Sequence, residues 1–238
     1  MSKKSALIRT RGMGLSIKLF KHEGLDLTPV KLTSTLKEIA YAPKSKNDIT
    51  SGFASVSTKG KVVEGEFVAG FRVPVLGFGE DTPVHYVSID RGTVFIKLDR
   101  GTIEVRGSER IARKAVKTIE EATNAKIRQM NLNGGTKKLY DSAADIAAVL
   151  LTGVEKGALN QAEFKGTGIQ TEEEIGLYTR RYKGTISRFR GTFAYPSGAF
   201  LTTVINADAG SLMVYKSGEG IQERDANWIV ELMEDAAP

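Results

Sequence analysis

The chain has 238 residues, 41% of them hydrophobic, and carries 34 Lys and Arg against 28 Asp and Glu, a formal net charge of +6. This composition is typical of a soluble globular protein with a core of its own, and the absence of Cys excludes disulfides, thiol catalysis and cysteine-based zinc clusters. Because residues 146–151 form the longest apolar stretch and the N-terminus lacks a signal-peptide core, we expect an intracellular protein (cytoplasm, nucleoid or nucleus) without a membrane partner.

The first half of the chain predicts a strand, a helix and then a series of strands. Alternating apolar residues over 15–20 predict a half-buried strand. Thr28 as N-cap and Pro29 at the first helical position predict the start of a helix that runs to about Ile39. A polar loop is expected over residues 43–51. Glycine-punctuated apolar segments then predict four strands, at residues 62–68, 71–76, 84–89 and 93–98.

The second half predicts a similar order of elements. A strand is expected at residues 126–133 and a helix at 139–152, followed by a polar loop or insertion at 156–175. Three further strands are predicted at residues 177–183, 185–195 and 200–206, the last two separated by a Pro196-Ser197-Gly198 turn.

One pattern occurs twice, and each copy closes one half of the chain. A strand that starts at Gly101 leads to a helix from about Ser108 to Thr123, and a strand that starts at Gly210 leads to the C-terminal amphipathic helix. A pattern repeated at a long fixed offset favours a tandem duplication of one α+β unit. We therefore expect two repeats, residues 1–124 and residues 125–238.

Three local sequences resemble the TATA-box-binding protein (TBP) family. Residues 15–20 with Leu25-Asp26-Leu27 resemble its first strand and the entry to its first helix. Residues 126–130 resemble the strand that opens its second repeat, and residues 94–107 resemble its apolar strand and hairpin. The resemblance implies an α+β saddle, in which two TBP-like repeats share a curved antiparallel sheet with helices on the convex face. It also implies DNA on the concave face and protein partners on the convex helices.

If the saddle forms, strand alternation selects the side chains of its concave face. Amide side chains suit the acceptor-rich minor groove, and apolar wedges such as Leu98 or Met213 could lever a base step apart. The alternative is that these side chains form the polar, solvated face of an ordinary antiparallel sheet. The candidates on this face are Lys18, Leu98, Arg106, Gln129, Asn131, Asn133, Met213 and Tyr215.

A basic and aromatic stretch at residues 178–190 is the strongest local signal for nucleic acid. Its cations can neutralise phosphates while Tyr178, Tyr182 and Phe189 stack on bases or cover sugars. A strand with a core Phe and a solvated charged face would have the same pattern. The candidate cations are Arg180, Arg181, Lys183, Arg188 and Arg190.

Catalysis is not indicated, so no enzyme activity, metal or cofactor is expected. The two histidines, His22 and His85, lie on different segments, and no glycine-rich run matches a phosphate loop.

The sequence predicts a nucleic-acid-binding protein for transcription or replication, with double-stranded DNA preferred over RNA. The alternative is an interaction or assembly protein that kept the fold without DNA binding. Glu104 on the predicted face and the lack of the family's kinking phenylalanines favour it, and so would exposure of the apolar segments near residues 67–71 and 73–76.

Overall fold

The computed structural model describes residues 6–10, 12–45, 48–79, 81–132 and 134–238. These residues form eleven strands and five α-helices, which confirms the predicted α+β class. They divide into two compact units. The N-terminal unit is Ile17–Arg128, and the C-terminal unit contains the described residues of Met1–Ser16 and Gln129–Pro238. The division falls four residues after the predicted repeat boundary, and the duplication itself stays a prediction.

The N-terminal unit is a β-meander with two helices. The strand order is β2-β3-β4-β5-β1, and the neighbouring strands are antiparallel. Its elements, with the start of β1 in the C-terminal unit, are β1 (Gly14–Glu23), α1 (Pro29–Glu38), β2 (Ser51–Lys59), β3 (Val62–Val75), β4 (Val84–Lys97), β5 (Thr102–Arg106) and α2 (Glu109–Thr123).

Both helices of this unit begin where the capping residues predict. The Thr28 hydroxyl accepts a hydrogen bond from the Lys31 backbone N–H, and the Ser108 hydroxyl accepts one from Ile111, at 3.3 and 3.4 Å. Helix α2 ends at Thr123, and Asn124 follows with a left-handed backbone (φ 55°) and donates its N–H to the Glu120 carbonyl. The apolar sides of α1 and α2 form one core with the sheet.

The C-terminal unit has the strand order β11-β10-β9-β7-β8, and the neighbouring strands are antiparallel. A short 3-10 turn at Ile169–Thr171 precedes α4. Its elements, with β6 at the division between the units, are β6 (Lys126–Gln129), α3 (Thr136–Ser142), β7 (Asp145–Lys156), β8 (Leu159–Lys165), α4 (Glu173–Arg180), β9 (Thr185–Ala194), β10 (Phe200–Asn206), β11 (Ser211–Tyr215) and α5 (Glu223–Ala236).

Two predictions of element type in this unit are wrong. The helix expected at residues 139–152 is instead α3 followed by the strand β7. A β-bulge between Ile146 and Ala148 allows Ile146 and Val149, three residues apart, both to be buried. That spacing imitates a helix. No strand forms at residues 177–183: residues 177–180 are the end of α4, whose acidic first turn and basic last turn suit the helix dipole.

Other predicted boundaries also differ from the structure. The four strands expected between residues 62 and 98 are two long strands, β3 and β4, because Gly70 and Gly92 sit inside continuous ladders. Strand β2, polar and at an edge, was not predicted, and β8 lies in the expected loop at residues 156–175. The strand expected at residues 126–133 ends at Gln129 within the described residues.

Candidate nucleic-acid interface

Strand β9 turns its aromatic residues to the helices and its arginines to the opposite side of the sheet. Phe189 packs edge-on against Tyr140 of α3, with ring centroids 5.6 Å apart, and Phe193 packs against Trp228 of α5 at 6.4 Å. Because side chains alternate along a strand, Arg188 and Arg190 lie on the face away from these helices. Both arginines are exposed.

Strand register extends this face across the whole unit. Arg190 lies opposite Ala148 on one side and Val204 on the other, and Val204 lies opposite Met213. Residues directly opposite each other share a face in an antiparallel pair. Lys165 follows opposite Ala148 in the same way. We define the basic face as Glu163, Lys165, Arg188, Arg190, Val204, Met213 and Tyr215.

The basic face contains an open groove of about 310 Å³. Strands β7, β8, β9 and β10 all contribute to its walls. Arg188 and Arg190 are two residues apart in β9, so their Cα atoms are about 7 Å apart. Two phosphate-to-phosphate steps along one strand of DNA cover about the same distance on the helix axis. The lining side chains include Leu150, Glu163, Lys165, Arg188, Arg190 and Val204.

The charges on the basic face do not cancel. Glu163 forms ion pairs with two cations, with Lys165 Nζ at 3.0 Å and Arg188 at 3.6 Å. The Arg190 guanidinium lies 5.7 Å from the centre of the Tyr215 ring, and no carboxylate within the described part of the chain pairs with it. Three cations and one carboxylate line the groove, so the groove is positive, and Arg190 is available to an anion.

The other predicted cations of residues 178–190 belong to α4 and the residues after it, and α4 packs on the opposite side of the sheet. Tyr178 of α4 packs against Phe164 at 5.4 Å, and Phe164 lies opposite Val149 in the face that carries the helices. Arg180, Arg181 and Lys183 follow at the end of α4 and remain exposed. A hydrogen bond to Glu155, at 2.7 Å, raises the pKa of Lys183, and Arg181 stacks on Tyr182 at 5.6 Å.

The predicted amide residues are spread along the start of the C-terminal unit. Gln129 is exposed, and its Nε2 donates to the Ala209 carbonyl at 2.5 Å. Asn131 is exposed as well. Asn133 lies outside the described residues.

The prediction that Lys18 shares a sheet face with Glu104 and Arg106 is wrong. Lys18 lies opposite Val105, whereas Glu104 lies opposite Leu19 and Arg106 opposite Ile17. Opposite residues share a face, so the two sets are on different sides. Lys18 is buried and forms an ion pair with Glu109 in the first turn of α2. Burial works to raise the pKa of Glu109, but hydrogen bonds from Lys18 and Arg113 outweigh it and lower that pKa.

Glu104 and Arg106 form a buried charge network within the N-terminal unit. Arg106 Nε donates to Glu104, and Lys97 Nζ lies 3.2 Å from the other carboxylate oxygen. Arg106 also stacks 4.5 Å above the Phe95 ring. Leu98, the predicted wedge, packs against the core of this unit. These side chains are therefore engaged internally, whereas the C-terminal unit brings together Arg188, Arg190, Met213 and Tyr215.

Sequence reasoning missed the contribution of β8 to the basic face. Lys165 and Glu163 fall in the segment that was expected to be a loop. The sequence does contain the alternation of a strand here: the apolar Ala162 and Phe164 alternate with the polar Gln161, Glu163 and Lys165.

The chain matches no family model and no curated protein with which it was compared. Among the described residues, no helix is long and apolar enough to cross a membrane. Within the same residues, no group of three or more acidic or histidine side chains is arranged to hold a metal ion.

Proposed function

We propose that this protein binds nucleic acid, with double-stranded DNA as its ligand, and acts in transcription or replication without catalysis. The observation that carries the proposal is the basic face of the C-terminal unit. Arg190 has no carboxylate partner in the described residues and lies beside Tyr215, on an open sheet surface that also carries Met213. Cations neutralise phosphates, and the neighbouring apolar and aromatic side chains cover sugars and base edges.

The proposed mechanism is docking dominated by phosphate contacts, with DNA bending rather than base-by-base reading. Arg188, Arg190 and Lys165 contact the backbone, and Met213 with Tyr215 supplies the apolar contact that a deformed groove requires. Affinity therefore falls steeply as salt rises, because each neutralised phosphate releases counterions.

We also propose that the chain is a tandem duplication of a TBP-like unit. The meander β2-β3-β4-β5 followed by α2 has a counterpart in β7-β9-β10-β11 followed by α5. Helices α1 and α3 precede these meanders. The counterpart differs by one insertion, residues 157–184, which adds β8 and α4. This shared order supports the proposal.

The experiment is a fluorescence titration of short labelled duplex DNA, single-stranded DNA and RNA at about 50 and 200 mM salt. The proposal predicts tightest binding to the duplex and a loss of about tenfold or more between the two salt concentrations. Absence of binding to all three at low salt would contradict it. Tighter binding to single-stranded DNA or RNA than to the duplex would mean that the basic face binds single strands, whose bases stack on its aromatic side chains.

The second candidate is an interaction or assembly protein that kept the fold without DNA binding. The observation that favours it is the charge network in which Glu104 pairs with Arg106 and Lys97, so that these two cations of the N-terminal sheet are neutralised within the protein. Protein partners would then bind the helices. The same titration separates the two candidates, since this one predicts no nucleic-acid binding at low salt.

A further inference from the structure

Strands β3 and β4 continue beyond their neighbours as a two-stranded arm. The pairing of β2 with β3 extends only as far as Ala69, which lies opposite Ser51, the first residue of β2. Strand β5 pairs with β4 only from Thr93 onward. Between these limits the ladder continues from Phe71 opposite Ser88 to Val75 opposite Val84. We define the arm as residues 71–79 and 81–88. Its paired part is about 17 Å long, given the rise of a strand.

The arm exposes apolar side chains that a core would normally bury. Phe78, in the turn, is fully exposed, and Tyr86 retains 58% of its surface. Val75, Leu76 and Val84 are also exposed, at 47%, 63% and 48%. Together these side chains present on the order of 600 Å², at the upper end of the largest patches on typical monomers. The second apolar segment noted in the sequence is thus exposed, whereas the first, around Phe67, is buried.

The two backbone edges of the arm are not equivalent. The Gly70 N–H donates to the Thr50 carbonyl at 2.9 Å, so it points away from β4. Alternation places the backbone nitrogens of Arg72 and Pro74 on the same outer edge. Pro74 has no N–H, which blocks strand addition along β3.

The outer edge of β4 has no such protection. His85 lies opposite Pro74 and Val87 opposite Arg72, so the N–H and C=O groups of both point outward. No strand of the described N-terminal unit pairs with this edge over the arm. Proline or lysine in an edge strand commonly prevents pairing with another strand, but residues 84–88 contain neither.

We propose that the β4 edge of the arm pairs antiparallel with the same edge of a second copy of this chain. The register that places His85 opposite Val87 of the copy gives four main-chain hydrogen bonds and brings the two Tyr86 side chains together. A register centred on His85 would instead use Pro83, which has no N–H to donate.

The chemistry of the arm fits a second copy. Val73, Val75, Val84 and Tyr86 share one face and carry no charge, so two copies meet without like-charge repulsion. DNA would need cations here, and Arg72 is the only Lys or Arg in residues 71–88. The exposed surface of these residues, on the order of 600 Å², is below the roughly 800 Å² per partner of a standard interface, as fits a contact made by one strand edge. A twofold contact of this kind is closed, which limits the assembly to a dimer. The inference does not depend on nucleic-acid binding.

The test compares two proline variants by sedimentation equilibrium. Val87→Pro removes an N–H from the proposed interface, and Arg72→Pro makes the same change at the directly opposite residue on the blocked edge. Neither nitrogen takes part in the β3–β4 ladder, so both variants keep the arm. We expect the wild-type chain to form a dimer of the 25.8 kDa protomer, and Val87→Pro to raise the dimer Kd about tenfold or more. Arg72→Pro leaves that Kd unchanged.

Tyr86→Lys provides a second variant that does not alter the backbone. It places two like charges side by side at the centre of the proposed contact, so the dimer should dissociate. Circular dichroism and thermal melting establish that each variant is folded. A monomeric wild-type chain at about 100 μM overturns the proposal, since it predicts a dimer at a typical working concentration. Equal weakening by Val87→Pro and Arg72→Pro, or a dimer that survives Tyr86→Lys, also overturns it.

Discussion

At the scale of single residues, two buried tyrosines of the C-terminal unit differ in how their hydroxyl groups are satisfied. The Tyr195 hydroxyl shares a hydrogen bond with Thr203, with the oxygens 2.5 Å apart. The Tyr140 hydroxyl has no hydrogen-bond partner among the described residues. A buried hydroxyl without a partner costs free energy, whereas a bonded one contributes a small net gain.

Replacing each tyrosine with phenylalanine should therefore have opposite effects. Tyr195→Phe is expected to lower the free energy of unfolding by about 1 kcal/mol, and Tyr140→Phe to leave it unchanged or raise it by up to about 1 kcal/mol. Urea denaturation of both variants measures the difference. A larger loss for Tyr140→Phe than for Tyr195→Phe would show that the Tyr140 hydroxyl is bonded in the folded protein.

Tyr195 also predicts a pH dependence of stability. Burial of its hydroxyl, reinforced by the nearby charge of Asp225, raises its pKa well above the ordinary value, although the bond to Thr203 acts in the opposite direction. The folded state then holds the proton more tightly than the unfolded state. The resulting stability is fully present below pH about 10 and is lost as pH rises further.

Urea denaturation at about pH 8 and pH 10.5 tests this dependence. The wild-type chain should lose more stability between the two pH values than Tyr195→Phe, which has no proton to release at this position. Equal losses in the two proteins would mean that Tyr195 ionises alike in the folded and unfolded states.

At the scale of elements, the start of α3 leaves no room for a side chain. A Cβ built on Gly135 would lie 1.8 Å from the carbonyl oxygen of Ala236, at the end of α5. This oxygen belongs to the backbone, so relief requires one of the two helices to move.

Gly135→Ala should therefore lower the free energy of unfolding by about 1–3 kcal/mol, as overpacking does. Gly218→Ala is the matched control, because a Cβ there meets no atom within 4 Å and its backbone is not left-handed. Thermal melting of the two variants compares them. Equal melting temperatures would contradict the close approach of α3 and α5.

The elements that the sequence predicted well are those in which local chemistry and burial agree. Strand β10 has its predicted bounds, and α1 and α2 begin at their capping residues, because alternation or a cap is sufficient to define them. Strand β7 was mistaken for a helix because its bulge is set by pairing with β9 and is not encoded in the local pattern.

The candidate site was predictable in part for the same reason. Alternation in β9 separated Arg188 and Arg190 from Phe189 correctly. Alternation within single strands could not relate Lys18 in β1 to Glu104 in β5, because which residues lie opposite each other depends on the register of pairing. It could not separate Arg180 and Arg181 from Arg188 either, since that required recognising α4 as a helix on the other side of the sheet.

At the scale of the whole molecule, the two units use their charges differently. In the N-terminal sheet, several cations pair with carboxylates of the same sheet: Lys59 with Glu64, Arg91 with Glu66, and Lys97 with Glu104. On the basic face of the C-terminal unit, Lys165 and Arg188 share the carboxylate of Glu163, and Arg190 has no carboxylate partner among the described residues. The net charge of +6 therefore matters less than its location, and nucleic-acid binding should depend on the C-terminal unit.

The most direct test of nucleic-acid binding compares two double variants that lose the same charge on opposite sides of one sheet. Arg188→Ala with Arg190→Ala removes two cations from the basic face, and Arg180→Ala with Arg181→Ala removes two from the end of α4. Duplex DNA affinity is measured across a salt series. We expect the first variant to lose about tenfold or more in affinity and to reduce the salt slope by about two, while the second stays close to wild type. Equal losses in both variants, or no loss in the first, would contradict binding through the basic face.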